Sequence, residues 1–170
     1  SLRHVDVRAT DLPAPVAELA GPPVRVVANL PYSVGSLVLR RLLDLRGVLA
    51  GWAVMVQKEV AERLVAEPGS GDYGSLSVLH ALCCHVRRVR DLAPRCFHPP
   101  PQVTSTFLRV APRADSPLEA GELAWLERVV RAGFGQRRKT LVNALRGAGL
   151  SPAPDPEHVR QFLAGLGHDP

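Results

Sequence analysis

The chain has 170 residues, 46% hydrophobic and 22% charged, with a formal net charge of +5. That fits one globular domain, or one domain with a small appendage, and excludes a disordered tail, which needs fewer apolar residues and more net charge. Three cysteines, two of them adjacent (Cys83 and Cys84), exclude a disulfide scaffold, and the longest apolar run, Val48 to Val56, is far short of the roughly 18 residues of a membrane helix.

Residues 24–30 (Val-Arg-Val-Val-Ala-Asn-Leu) form a nearly continuous apolar run ending at Pro31, the pattern of a buried parallel strand. Val34, Leu37, Val38, Arg41, Leu42 and Leu45 follow at helical spacing, bounded by Gly47. Residues 52–57 read as a second buried strand and 58–67 as a charged helix, with Glu59 four residues before Arg63. Pro68-Gly69-Ser70-Gly71 is a loop. A helix is expected over 74–84 and strands over 86–92 and 103–110. Strand, helix, strand, helix is the signature of a βαβ unit in a three-layer α/β fold.

Composition changes after residue 112, where Pro112 to Pro117 reads as a linker. Helices are expected over 118–134, 138–147 and 156–165, with no strand among them. The division is therefore an α/β part, 1–112, and a small all-α domain, 113–170. The tail holds eight basic and seven acidic residues, so the excess of Arg and Lys sits mainly on the α/β part. Arg supplies 19 of the 21 basic residues, and its planar fork suits phosphates and bases. A mild basic excess by itself is weak evidence for a nucleic-acid partner. All three cysteines read as buried thiols of a reducing cytosol, and no Cys/His spacing suggests a metal.

Asn29-Leu30-Pro31-Tyr32 ends the first strand, and in open α/β sheets ligands bind beyond the carboxyl ends of strands. The Asn29 side-chain oxygen and the Leu30 carbonyl can each accept a hydrogen bond from an exocyclic amine, Pro31 stiffens the turn, and the Tyr32 ring can stack on a base. Two acceptors on one amino group favour a nitrogen becoming tetrahedral as it attacks an electrophile. Taken alone, the four residues are equally a strand end and a turn.

The tetrapeptide resembles the motif of the ribosomal small-subunit RNA adenine N6-dimethyltransferases, the KsgA/Dim family. Five further stretches resemble the same family in the same order: Met55 to Leu64, Pro68-Gly69-Ser70, Tyr73 to Val78, Phe97 to Ser105 and Phe134 to Leu145. The resemblance implies a Rossmann-like class I methyltransferase sheet followed by a small helical RNA-binding domain. It implies methyl transfer from S-adenosyl-L-methionine to N6 of two adjacent adenines of small-subunit ribosomal RNA, in a cytoplasmic, monomeric enzyme of ribosome biogenesis with no membrane partner. By position, Asn29 and the Leu30 carbonyl hold the target amine, Tyr32 stacks on the base, and Phe97 is the second stacking aromatic. Asp6, with Val7 beside it, aligns with the acidic residue that accepts from the cofactor's adenine amine, although Val5 stands where the family usually has Gly. Arg137-Arg138-Lys139 matches a contact with the RNA backbone, a type that positions rather than specifies. That cluster also reads as a solvated helix face, and Arg87, Arg88 and Arg90 as charges blunting an edge strand.

The family's glycine-rich cofactor loop and its ribose-binding acid are not found in the sequence. The expectation is an internal fragment of a longer enzyme, which by itself binds the cofactor poorly and leaves the strand at 24–30 with an unpaired edge. Two alternatives stay open: the large-subunit methyltransferase type that confers macrolide resistance, and a non-catalytic RNA-binding or ribosome-assembly module. DNA adenine methylation is disfavoured, because the other stretches are not shared with those enzymes.

Overall fold

The computed structural model describes residues 4, 6, 23–118, 121–136, 138–150 and 154–168. The chain divides into two compact units, Ser1–Leu118 and Glu119–Pro170.

The first unit is built on a four-stranded sheet of order β1-β2-β4-β3. Its strands are β1 (Val24–Asn29), β2 (Leu49–Gln57), β3 (Cys84–Leu92) and β4 (Ser105–Pro112). β1 and β2 run parallel, joined by helix α1 (Gly35–Asp44), which is the βαβ unit expected from the sequence. β4 is antiparallel to both β2 and β3, so its first residues lie at the carboxyl end of β2. Among the described residues, helices α2 (Lys58–Val65) and α3 (Ser75–Cys83) also belong to this unit.

One face of the sheet carries Trp52, Val54, Val56, Thr106, Leu108 and Val110, all at most 2% exposed. Alternation with period two sends these side chains to the helical side, where Leu39 and Leu43 of α1, Ala61 of α2 and Leu79 of α3 close the core. Gly35 at the start of α1 sits against this face, 3.9 Å from a Val56 methyl once a Cβ is built on it. Ser77 ties α3 to α2: its hydroxyl donates to the Arg63 carbonyl at 2.6 Å and accepts from the Gly74 N–H at 3.0 Å.

The opposite face is open among the described residues. Val27 is 80% exposed, Arg25, Arg87 and Arg109 are exposed, and Ala53, Met55 and Phe107 are half-buried. The expectation that 24–30 is a buried strand is thus corrected. β1 is an edge strand in the described sheet and alternates between half-buried and exposed, because among the described residues one of its faces is left uncovered. β2 begins at Leu49, three residues before its predicted start: Leu49 pairs with Val24 and Gly51 with Arg25, and Ala50 is the extra residue at the irregularity where β1 and β2 change register. Gly51 has φ +146, and a Cβ there would stand 2.8 Å from the Val110 carbonyl oxygen. β4 starts and ends two residues later than predicted.

The second unit holds α4 (Glu122–Gly135), α5 (Leu141–Arg146) and α6 (Pro156–Gly165). The Thr140 hydroxyl accepts from the Asn143 N–H to cap α5, and the Asp155 carboxylate accepts from the Glu157 N–H to cap α6. No helix among the described residues is long and apolar enough to cross a membrane.

Candidate active site

The Asn29–Tyr32 segment leaves the sheet at the carboxyl ends of β1 and β2. The Leu30 N–H still belongs to the ladder, donating to the Met55 carbonyl at 3.1 Å. The chain then turns, with the Val34 N–H donating to the Pro31 carbonyl at 3.1 Å, and α1 begins. Leu30 has a buried side chain, whereas Asn29 and Pro31 are exposed and Tyr32 is half-buried. The Asn29 amide therefore reaches solvent from a backbone held by β2, a suitable place for a hydrogen-bond acceptor.

The second wall comes from the segment between β3 and β4. A single 3-10 turn, Pro94–Cys96, is closed by Cys96 N–H to Ala93 carbonyl (2.9 Å) and Phe97 N–H to Pro94 carbonyl (3.1 Å) bonds. The His98–Pro99 peptide is cis, and the chain re-enters the sheet where the Lys58 N–H donates to the Thr104 carbonyl at 2.9 Å. Phe97, His98, Pro99 and Pro101 line a cavity of about 340 Å³ together with Asn29, Leu30, Pro31 and Tyr32. That volume is at the small end of the range for ligand pockets. Two segments some 65 residues apart, singled out separately in the sequence, thus share one cleft.

The hydroxyls of Tyr32 and Ser105 are 2.6 Å apart, and Ser105 is wholly buried at the first position of β4. Sequence reasoning gave Ser105 no part. The signal available was a lone small hydroxyl at a strand start directly after the Pro-rich loop, and its partner is 73 residues away. Pro99 and Pro101 were also without an assigned role in the site, whereas His98 was expected beside it, shaping the loop.

Of the other predicted site residues, Asp6 is exposed in the first unit, and Val7 lies outside the described residues. Arg138 and Lys139 are exposed in the second unit just before α5, with the Lys139 N–H donating to the Gln136 carbonyl at 3.0 Å; Arg137 lies outside the described residues. Arg88 forms a fork with the Asp91 carboxylate (2.5 and 3.1 Å), which also accepts from the Thr106 hydroxyl at 2.8 Å. The Arg88 guanidinium, then the Thr106 hydroxyl, holds the Asp91 carboxyl below its ordinary range. Arg88 is engaged in the fold, and β3 is an edge strand of the described sheet.

One of the three cysteines expected to be buried is not. Cys83 and Cys84 are buried, and burial raises both thiols, Cys84 to about 12, but Cys96 is exposed at the end of the 3-10 turn. It lies in the segment between β3 and β4, and no described segment covers its side chain.

A family model described as "Ribosomal RNA adenine dimethylase" matches residues 4–152. A relative from Geobacter sulfurreducens named "Ribosomal RNA small subunit methyltransferase A" is 42% identical over 164 residues, 96% of this chain and 59% of the relative. A relative of the same name from Xanthomonas campestris is 46% identical over 142 residues, 84% of this chain and 53% of the relative. The chain therefore spans little more than half the length of these curated relatives. Among solved structures, a dimethyladenosine transferase from Plasmodium falciparum superposes with a TM-score of 0.68 at 29% identity, over 89% of this chain and 54% of that one. The 23S rRNA methyltransferase ErmE, at TM-score 0.57 and 24% identity, shares the fold, over 88% of this chain and 59% of that one. With a Rossmann-like half-sheet, an Asn-Leu-Pro-Tyr turn facing a Phe-His-Pro loop, and a family model matching most of its length, the chain belongs to the ribosomal RNA adenine dimethylase family.

Proposed function

We propose that this chain carries the acceptor-base site of a small-subunit ribosomal RNA adenine N6-dimethyltransferase. The observation that supports the reading most is the shared cleft, which two aromatic residues, Tyr32 and Phe97, line together with Asn29 and Leu30. A flat base entering the cleft stacks on the rings, each contact contributing roughly 1–3 kcal/mol. The exocyclic amine then donates to Asn29 Oδ1 and to the Leu30 carbonyl. Both are acceptors and neither is a base. They would orient the nitrogen and stabilise the positive charge that grows on it as it takes a methyl group from a sulfonium donor, whose carbon–sulfur bond breaks with the electron pair left on sulfur, and the proton lost afterwards would pass to water. The cleft of about 340 Å³ suits one base at a time.

S-adenosylmethionine supplies the methyl group in this reading. The residues present fit one end of it: the exposed Asp6 carboxylate suits the adenine amine, the role that the family resemblance gives it. Among the described residues no glycine-rich turn joins a strand to a helix, so no residue here is assigned to its methionine end. The first unit is the catalytic part and the second a helical RNA-binding part, in which Arg138 and Lys139 contact phosphates. The partner is immature small-subunit RNA, and the setting is the cytoplasm.

The test is tritiated methyl transfer to undermethylated small ribosomal subunits, with large-subunit RNA in parallel. The enzyme is this chain, alone and joined to the portions of the Geobacter relative that it does not match. Dimethyladenine in small-subunit RNA is expected from the joined protein. Label in large-subunit RNA alone would move the reading to the macrolide-resistance type. No label in either, with RNA still bound, would leave a non-catalytic binding module.

A further inference from the structure

Ser105 opens β4 as the cross-strand neighbour of Gln57 in β2 and of Leu92 in β3. β1 is not its neighbour, because β2 stands between them. Strands lie about 4.8 Å apart, so a bond from the loop after β1 to β4 has to cross roughly 10 Å, over the end of β2. The Tyr32 side chain makes that crossing and meets Ser105 Oγ at 2.6 Å. A fully buried serine hydroxyl is tolerated where it has a hydrogen-bond partner, and the Tyr32 hydroxyl is a partner here.

We infer that Ser105 is a positioning residue that pins the Tyr32 phenol so that the ring face, and not the hydroxyl, is offered to a base in the cleft. The inference rests on the acceptor-site reading above. It has two consequences. The phenol is engaged with the first residue of β4. Ser105 also lies four residues after Pro101 on the strand that receives the Phe97 loop, so one strand start sets both stacking aromatics in a fixed relation. Small losses of alignment at such a site are costly, since productive geometry has to be held within about 0.5 Å.

Tyr32 and Tyr73 are the two tyrosines of the chain, so labelling with 3-fluorotyrosine gives two fluorine resonances, and Tyr32→Phe identifies the first. Ser105→Ala is expected to shift or broaden the Tyr32 resonance and leave that of Tyr73, with Ser105→Thr, which keeps the hydroxyl, restoring it. Thermal unfolding checks that each variant is folded. A Tyr32 resonance indifferent to Ser105→Ala overturns the tether.

The second measurement is quenching of a short single-stranded RNA carrying 2-aminopurine. Ser105→Ala is expected to weaken binding of the stacked probe roughly tenfold, about the effect of 1.4 kcal/mol. In the Tyr32→Phe background the same change is expected to have no further effect. A serine that only stabilises the sheet would weaken both backgrounds alike. Quenching by the unaltered chain that survives Ser105→Ala unchanged overturns the positioning role. No quenching by the unaltered chain is a different failure: it overturns the acceptor-site reading itself, and the positioning role with it.

Discussion

The Leu30 N–H donates to the Met55 carbonyl at 3.1 Å, one residue past the last paired position of β1, which is Asn29 opposite Met55. The peptide between Asn29 and Leu30 is therefore clamped to β2 through backbone atoms. The Asn29 side chain takes no part in that clamp and is exposed.

It follows that Asn29→Ala leaves the fold almost untouched, with a change in unfolding free energy within about 0.5 kcal/mol, as is usual for surface positions. The methyl-transfer step should slow by about a hundredfold or more, the scale for losing one transition-state hydrogen bond. RNA affinity should change far less, since the interaction is strongest in the transition state. Single-turnover rates and equilibrium binding, measured on the joined protein described above, check this; equal losses in both would remove Asn29 from the role.

Arg138 precedes α5, whose start is capped by Thr140, so truncating it does not unmake the helix. Arg138→Ala should weaken RNA binding and lower the slope of log affinity against log salt by about 0.7–0.9, the share of one phosphate contact. Filter binding across a salt series measures that slope. An unchanged slope takes Arg138 off the list of contacts.

His80 is wholly buried on α3, and its Nδ1 lies 2.9 Å from the Leu76 carbonyl while Nε2 has no partner among the described residues. A neutral ring with the proton on Nδ1 satisfies this geometry. Burial lowers its pKa to about 4, with the Leu76 carbonyl opposing and the Arg40 charge assisting. The unfolded chain, with an ordinary value near 6.5, binds the proton first. Stability is thus full above about pH 6.5 and falls as pH drops towards 4, by on the order of 3 kcal/mol across the window. Urea unfolding at a series of pH values should show that decline, and His80→Leu should flatten it. A slope identical in the two proteins would assign the decline to other groups.

Val27 is 80% exposed on β1, beside exposed Arg25 and across the open face from Arg109. An apolar edge of this kind recruits other edges, and a lysine there opposes such pairing. Val27→Lys should reduce light scattering at high concentration and lower the binding of an apolar dye, with little change in the core. Scattering that persists at its original level would place the sticky surface elsewhere.

Much of the local structure was legible because it depends on neighbours in sequence. Helices at 35–44, 58–65 and 156–165 follow from apolar spacing and from stops at Gly and Pro. The pause at Pro31 after an apolar run marked a strand end, and its Asn and Tyr marked the chemistry there. Burial was harder to read. Val24 to Leu30 has the composition of an interior strand, yet half its side chains face outward, because the pattern records what a strand can bury and not what covers it. Cys96 was misread for the same reason: a residue's apolarity is local, but its cover comes from whatever segment packs over it.

The sequence alone determined which segments are strands and helices, which family they resemble, and that Asn29, Tyr32 and Phe97 are the residues to watch, since propensity, periodicity and motif are properties of contiguous residues. The tertiary structure decided the strand order β1-β2-β4-β3, the meeting of Phe97 with the Asn29–Tyr32 turn, and the bond between Tyr32 and a serine 73 residues away. Those depend on which distant strands pair, and pairing is set by the collective burial of one sheet face against α1, α2 and α3, which no short stretch of chain specifies by itself.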